Sequence, residues 1–214
     1  MLKVTLTFNL LCIGMLLASA FAPLDETLWE KQLREKGRMN LPVTPILQAK
    51  VTSCGEAAIT MAYNYVYPES GVTEQEVIEY AIKEGYYTER KFPYTSPENM
   101  VKSAEHYADA VTAGAVQTAD EGLALLIDKL TGGDPVIIDI LSRLDDPKSG
   151  AHFVVVTGIE IDPKNPNGTK IIYNDSQLGR SRSSPWLGSE GIWNAWQNNG
   201  DPGGPGWWMV ITSP

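Results

Sequence analysis

The stretch from Gly150 to Asp175 leaves this chain little freedom. Ala151-His-Phe-Val-Val-Val-Thr-Gly-Ile-Glu-Ile161 is dominated by β-branched and other apolar residues, and the turn-forming run Asp162-Pro-Lys-Asn-Pro-Asn-Gly168 follows it. Thr169-Lys-Ile-Ile-Tyr-Asn174 then repeats the pattern. Runs of this kind bounded by Gly, Pro, Asn and Asp form strands, here a hairpin with a long loop. A near-continuous apolar first strand marks burial on both faces, so helices must cover it. The upstream sequence supplies them. Leu24 to Gly37 is amphipathic with Gly37 as a stop, and Ser53 to Val66 carries an apolar stripe at Ala58, Met61, Ala62 and Tyr65. Thr73-Glu-Gln-Glu76 and Thr118-Ala-Asp-Glu121 are capping boxes opening two more helices, and Ser96-Pro97 opens another through His106. Strands are expected at Val136–Ile140, Phe153–Ile161 and Thr169–Asn174, with a late helix around 190–197 and an edge strand from Trp207 to Thr212. Helices first and antiparallel strands after give an α+β fold.

The 214 residues carry 17 Lys plus Arg against 26 Asp plus Glu, a formal charge of −9. Such a balance lacks the basic footprint of a nucleic-acid binder and is repelled by anionic lipid, so neither partner is expected. The first residues carry one cation, Lys3, then the nine apolar residues Leu10 to Ala18, then Ala18-Ser19-Ala20. This is the pattern of a secretory signal cleaved after Ala20, and its apolar run is far short of the roughly 20 residues of a spanning helix. The expectation is a secreted protein, extracellular or periplasmic, with no stable membrane association after cleavage. Residues 21–40 then form an N-terminal helix or a short pro-segment, and 41–214 the main domain.

Removal of the signal takes Cys12 with it and leaves Cys54 as the lone thiol, so no internal disulfide is possible. Ser53-Cys54-Gly55-Glu56 has the S-x-x-E spacing of a capping box, which makes Ser53 the N-cap and Cys54 the first helical residue. There the unpaired N–H groups and the positive helix end favour a thiolate, a placement that serves a nucleophile. Gln48 lies six residues upstream in a proline-extended segment, where its amide beside the Cys54 N–H would supply two donors to one oxyanion. Two histidines are available as partners. His106 sits among charged residues of a helix, whereas His152 opens the buried strand at a sheet edge that a cleft can reach. A register centred on the turn sets Asp175 directly opposite His152, in the orienting role, with Asn174 exchanged for it by a one-residue slip. At this point either one fits.

Gln48, Cys54, His152 and Asp175, in that order, are the papain-like constellation. More narrowly, the chain resembles the C39-like peptidase family. The resemblance rests on Leu47-Gln48 through Cys54-Gly-Glu-Ala-Ala-Ile-Thr-Met61, on Gly150-Ala-His-Phe-Val-Val-Val-Thr-Gly158, and on Ile172-Tyr-Asn-Asp-Ser-Gln-Leu-Gly179, with Gly133-Asp-Pro-Val-Ile-Ile-Asp139 as the strand before the hairpin. It implies a papain-like fold and a cysteine peptidase acting on a peptide or protein. Cys54 would be the nucleophile, His152 the base, Asp175 the orienter and Gln48 the oxyanion donor. The family commonly has proline after the aspartate, where this chain has Ser176. Family members fused to transporters cleave double-glycine leaders; this sequence contains no transporter segment, so that substrate does not carry over. An acyltransferase or deamidase using the same thioester, or an inactive secreted binding protein on the same fold, are the alternatives.

No metal-ligand cluster and no phosphate-cradling glycine loop occurs in the sequence, so no cofactor is expected, and a monomer is the expected state. Trp186, Trp193, Trp196, Trp207 and Trp208 crowd the last forty residues and are expected to cover the sheet or fill the core. Asn167-Gly-Thr and Asn174-Asp-Ser match glycosylation acceptors.

Overall fold

Local capping chemistry places most of the helices where the sequence puts them. The computed structural model describes residues 26–87, 94–162, 165 and 168–213. Helix α1 (Leu28–Lys36) is opened by a Thr27–Glu30 capping box and stopped by Gly37 at φ 65°. Gly37 makes this left-handed turn without the strain a Cβ would add. Helices α3 (Glu74–Lys83) and α5 (Ala119–Gly132) start on the boxes at Thr73–Glu76 and Thr118–Glu121, and α4 (Pro97–Tyr107) on Ser96 with proline at its first position.

Helix α2 (Cys54–Val66) begins at Cys54, but the expected Ser53–Glu56 box does not form: Ser53 makes no capping bond. Its hydroxyl donates instead to Glu74 Oε1 at 2.6 Å, and Glu56 turns into the interior, where the Thr95 hydroxyl bonds it. A buried carboxylate partner from another helix outcompetes the local cap.

The strands form one antiparallel sheet of seven. They are β1 (Arg38–Asn40), β2 (Ala110–Ala115), β3 (Val136–Leu141), β4 (Ala151–Glu160), β5 (Lys170–Asp175), β6 (Arg180–Pro185) and β7 (Trp207–Thr212), ordered β2-β7-β3-β4-β5-β6. Short β1 pairs with β4 beyond the end of β3. Strand β7 is therefore not an edge, as its position at the chain end suggested; β2 and β6 take the edges. Both escaped the sequence reading, because β2 is built of small residues and β6 (Arg-Ser-Arg-Ser-Ser-Pro) is polar, charged and proline-ended. Those features protect an exposed edge from pairing with another chain.

Strands β3 and β4 are buried along nearly their whole length, with α2 and α4 against the sheet, α3 packed on those two helices, and α5 packed both on β3–β4 and on α1. The late helix is shorter than expected, α6 (Ile192–Gln197), and its Trp196 is fully buried beside Trp186 and Trp193, within the core as expected. Met1–Ala20 and Asn167 lie outside the described residues. Asn174 is sealed in the interior. Among the described residues, no helix is long and apolar enough to cross a membrane.

The β4–β5 register differs from the expected one by two residues. Val155 faces Asn174 and Val156 faces Tyr173, and a bulge at Thr157 then moves Gly158 opposite Ile172. Continued outward, this pairing sets Val154 opposite Asp175, with His152 two residues further along the same face. Parity is preserved, so the two side chains still meet diagonally rather than directly.

Candidate active site

Three segments converge at the ends of α2, β4 and β5. The loop 48–53 delivers Cys54 at the first turn of α2, half-buried, where the helix leaves N–H groups without intrahelical acceptors. That loop is held from both sides. Glu74 accepts the Ala49 N–H with both oxygens (3.0 and 2.9 Å) and the Ser53 hydroxyl, while the Thr52 hydroxyl meets the Tyr87 hydroxyl at 2.8 Å.

His152, at 1% exposure, places Nε2 3.0 Å from Asp175 Oδ1. Its Nδ1 has no fixed hydrogen-bond partner, and the Cys54 thiol is the neighbour that acts on the ring besides Asp175. Loose sulfur–imidazole contacts of this kind are common in unliganded enzymes. Burial disfavours a charged ring here, but the hydrogen bonds and charges of Asp175 and Cys54 outweigh it and lift the His152 pKa to about 9.

Asp175 is itself buried, which works against its charge. His152 and Arg182 more than compensate and hold its carboxyl below the usual aspartate value. Arg182 Nη1 reaches Oδ2 at 3.1 Å, and the Gln177 N–H donates to Oδ1 at 3.0 Å. The neighbour of His152 is Asp175 rather than Asn174: Asn174 donates to the Val43 carbonyl and accepts from the Ser181 hydroxyl.

Gln48 is placed differently from expectation. Its amide nitrogen donates to the carbonyls of Lys50 (2.7 Å) and Val51 (2.8 Å), so both N–H groups are engaged within its own loop. Its Oε1 accepts from Ser176, and its backbone N–H donates to the Ser176 carbonyl. Ser176, which stands where the resemblance leads one to expect proline, thus clasps Gln48 to the end of β5. His106 lies apart, exposed and stacked on Tyr80 with ring centroids 3.7 Å apart.

With this geometry in hand, the comparison with known families is decisive. The model of the peptidase C39-like family matches residues 40–201. The chain belongs to that family. No curated protein matches it. The family match spans the loop before Cys54, the β4–β5 hairpin and the loop after α6, so this peptidase C39-like chain holds all four candidate residues within it.

Several participants were missed from sequence. Arg182 comes from the polar edge strand, and Glu74 reads locally as only one more acid at a helix start. Asp139 and Asp201 form a buried acid pair near His152. Burial and the neighbouring Asp201 push Asp139 up to about 8, so it keeps its proton at neutral pH. No local pattern distinguishes any of these from a surface charge; tertiary pairing creates them. Among the described residues there is no group of three or more His, Cys, Asp or Glu arranged to hold a metal ion.

Proposed function

We propose that the protein is a secreted papain-like cysteine peptidase or amidohydrolase that cleaves through a Cys54 thioester. One observation carries the reading: His152 is fixed through Nε2 to a charged Asp175 while Nδ1 is left for the thiol at a helix start. The Cys54 thiolate attacks the substrate carbonyl carbon, forming a C–S bond and an oxyanion. The Cys54 backbone N–H, at the positive end of α2, receives that oxyanion. Gln48 joins it by releasing one of its two carbonyl acceptors. The His152 Nδ1–H then protonates the leaving nitrogen as the C–N bond breaks. In the second half, Nδ1 takes a proton from water, the hydroxide attacks the thioester, and the thiolate departs with the carboxylate product formed. Asp175 and Arg182 do not touch substrate; they hold the ring and its charge.

Exposed Leu47, Val51 and Leu178 lie on the segments flanking the site and offer apolar surface to an extended polypeptide. Export rests on the apolar run after Lys3 and the Ala18-Ser19-Ala20 pattern.

The test pairs labelling with digestion. Iodoacetamide at neutral pH should modify Cys54 rapidly in the wild type and at least tenfold more slowly in His152→Ala. Peptide-library cleavage should occur with the wild type and vanish in Cys54→Ala. Cleavage surviving in Cys54→Ala refutes the mechanism. Slow labelling indifferent to His152 assigns the fold to a binding protein instead.

A further inference from the structure

Beside the candidate catalytic residues lies a second feature, a cleft of about 470 Å³. It starts at Thr52, two residues before Cys54, and at Ala151, one before His152, and it runs to the loop after α6. Consecutive Cα atoms are 3.8 Å apart, so a substrate residue adjoining the reacting carbonyl reaches it. Tyr94, Pro147 and Pro202 contribute apolar and aromatic wall, and among the described residues Asp201 is the one charged residue of its lining.

That charge is built in. The loop is locked in place: the Asn199 amide donates to the Asp139 and Trp196 carbonyls at 2.8 and 3.2 Å, and its oxygen accepts the Asp201 N–H at 3.0 Å. Gly204 lies so close that a Cβ there would sit 2.5 Å from Asp139 Oδ2, which keeps the loop pressed onto that carboxyl. Asp139 is fully buried and Asp201 is 8% exposed, and no ion pair among the described residues neutralises either. Burial raises both acids, Asp139 to about 8, while the neighbouring Asp139 works against the rise at Asp201, so Asp201 is the member of the pair that ionises more readily, at the cleft. An uncompensated, rigidly held carboxylate is costly unless something that binds there neutralises it.

Resting on the peptidase reading above, we propose that this cleft is a specificity subsite for a lysine or arginine side chain of the substrate, adjoining the scissile bond. Asp201 is the counter-charge, the two prolines take the aliphatic stem, and Tyr94 packs its ring on the cationic head. The net charge of −9 favours the approach of basic polypeptides in general.

The experiment uses the unreactive Cys54→Ala protein, so binding is read without catalysis. Acetylated, amidated peptide libraries are prepared with one position at a time fixed as Lys, Arg, norleucine or Glu, and affinity is measured by fluorescence anisotropy. Lys and Arg should bind about tenfold more tightly than norleucine at one position, and Glu most weakly. The advantage should shrink as ionic strength rises. In Asp201→Asn the Lys-to-norleucine ratio should fall to about one. Because that variant alters a buried pair, Tyr94→Leu, on an exposed ring, provides a second measure: the ratio should drop about two- to threefold. Equal binding of Lys and norleucine peptides at every position, no measurable binding by any library, or a ratio untouched by both variants overturns the proposal. Failure of the wild type to hydrolyse peptides would leave this binding result standing. Hydrolysis without basic preference would remove the subsite and keep the peptidase.

Discussion

Replacing Asp175 with Asn tests the centre of the site, because it preserves shape and removes charge. In the wild type, His152 is lifted from an ordinary 6.5 to about 9, which corresponds to about 3 kcal/mol favouring the charged ring against the pull of burial. Asp175, at 3.0 Å from Nε2, is the first of the two partners responsible. The asparagine oxygen still accepts the Nε2–H, but with its charge gone, burial is opposed by Cys54 alone. An opposite charge at this range moves a pKa by about 1–3 units, so His152 should fall by at least about one unit. The chain has only two histidines, so imidazole NMR signals in the wild type, Asp175→Asn and His106→Gln give an assigned titration. Iodoacetamide labelling of Cys54 against pH supplies the functional counterpart. Its alkaline limb, set by proton loss from His152, should move down by the same amount and slow the reaction at least about threefold at pH 8.5, with little change at pH 6. Stability follows in sign. A histidine raised on folding stabilises fully below 6.5, and that contribution disappears as pH climbs through about 9; Asp175→Asn should flatten the decline. A wild-type His152 titrating near 6.5, or a titration and alkaline limb unmoved by Asp175→Asn, would refute the reasoning.

Two further substitutions probe the frame around the site. Burial holds Glu56 at about 7, against the opposing hydrogen bond from Thr95, so the folded protein prefers it protonated and loses stability as pH rises through 7. The shift from 4.5 amounts to about 3 kcal/mol, so Glu56→Gln should remain as stable as wild type at pH 5 and be more stable at pH 8.5 by thermal unfolding; equal pH profiles would refute this. Gly158 follows the β4 bulge, and a Cβ there would clash with the Met39 carbonyl oxygen. Gly158→Ala should cost about 3 kcal/mol and lower Tm by about 10 °C, and an unchanged Tm would show that β1 is free to move aside.

The helices were legible wherever one or two neighbouring residues decide their ends, as at Thr73–Glu76, Thr118–Glu121 and Ser96–Pro97. Ser53–Glu56 has the same spacing, yet Glu74, 21 residues away, captures the serine, and no local pattern carries that competition. Central strands announced themselves through apolar runs, whereas the edge strands β2 and β6 are small or polar by necessity. The pairing of His152 with Asp175 was readable because strand side chains alternate with period two. A register error of two residues keeps the face; an error of one would have promoted Asn174. The bulge at Thr157 lay beyond reach, since it sits where β1, more than 100 residues earlier in the chain, passes close to Gly158. The commitment of the Gln48 amide to Lys50 and Val51 was equally hidden, because carbonyl positions in a turn are not written in residue type.

The buried carboxyls around Cys54 divide by their partners. Asp175 has two cationic neighbours, His152 and Arg182, and is held charged despite its burial. Glu56 and Asp139 are sealed without an ion-pair partner among the described residues, and burial raises both. The arrangement therefore places the ion-paired negative charge behind the imidazole, at Nε2 rather than at the Nδ1 side that the sulfur faces. A second charged acid in these walls would compete with the thiolate for the same positive ring and helix end. Keeping those acids protonated preserves the pull of both on the sulfur. The two raised values, about 7 and about 8, lie below the roughly 9 of His152. As pH rises, uncompensated charge thus enters the walls before the imidazole loses its proton.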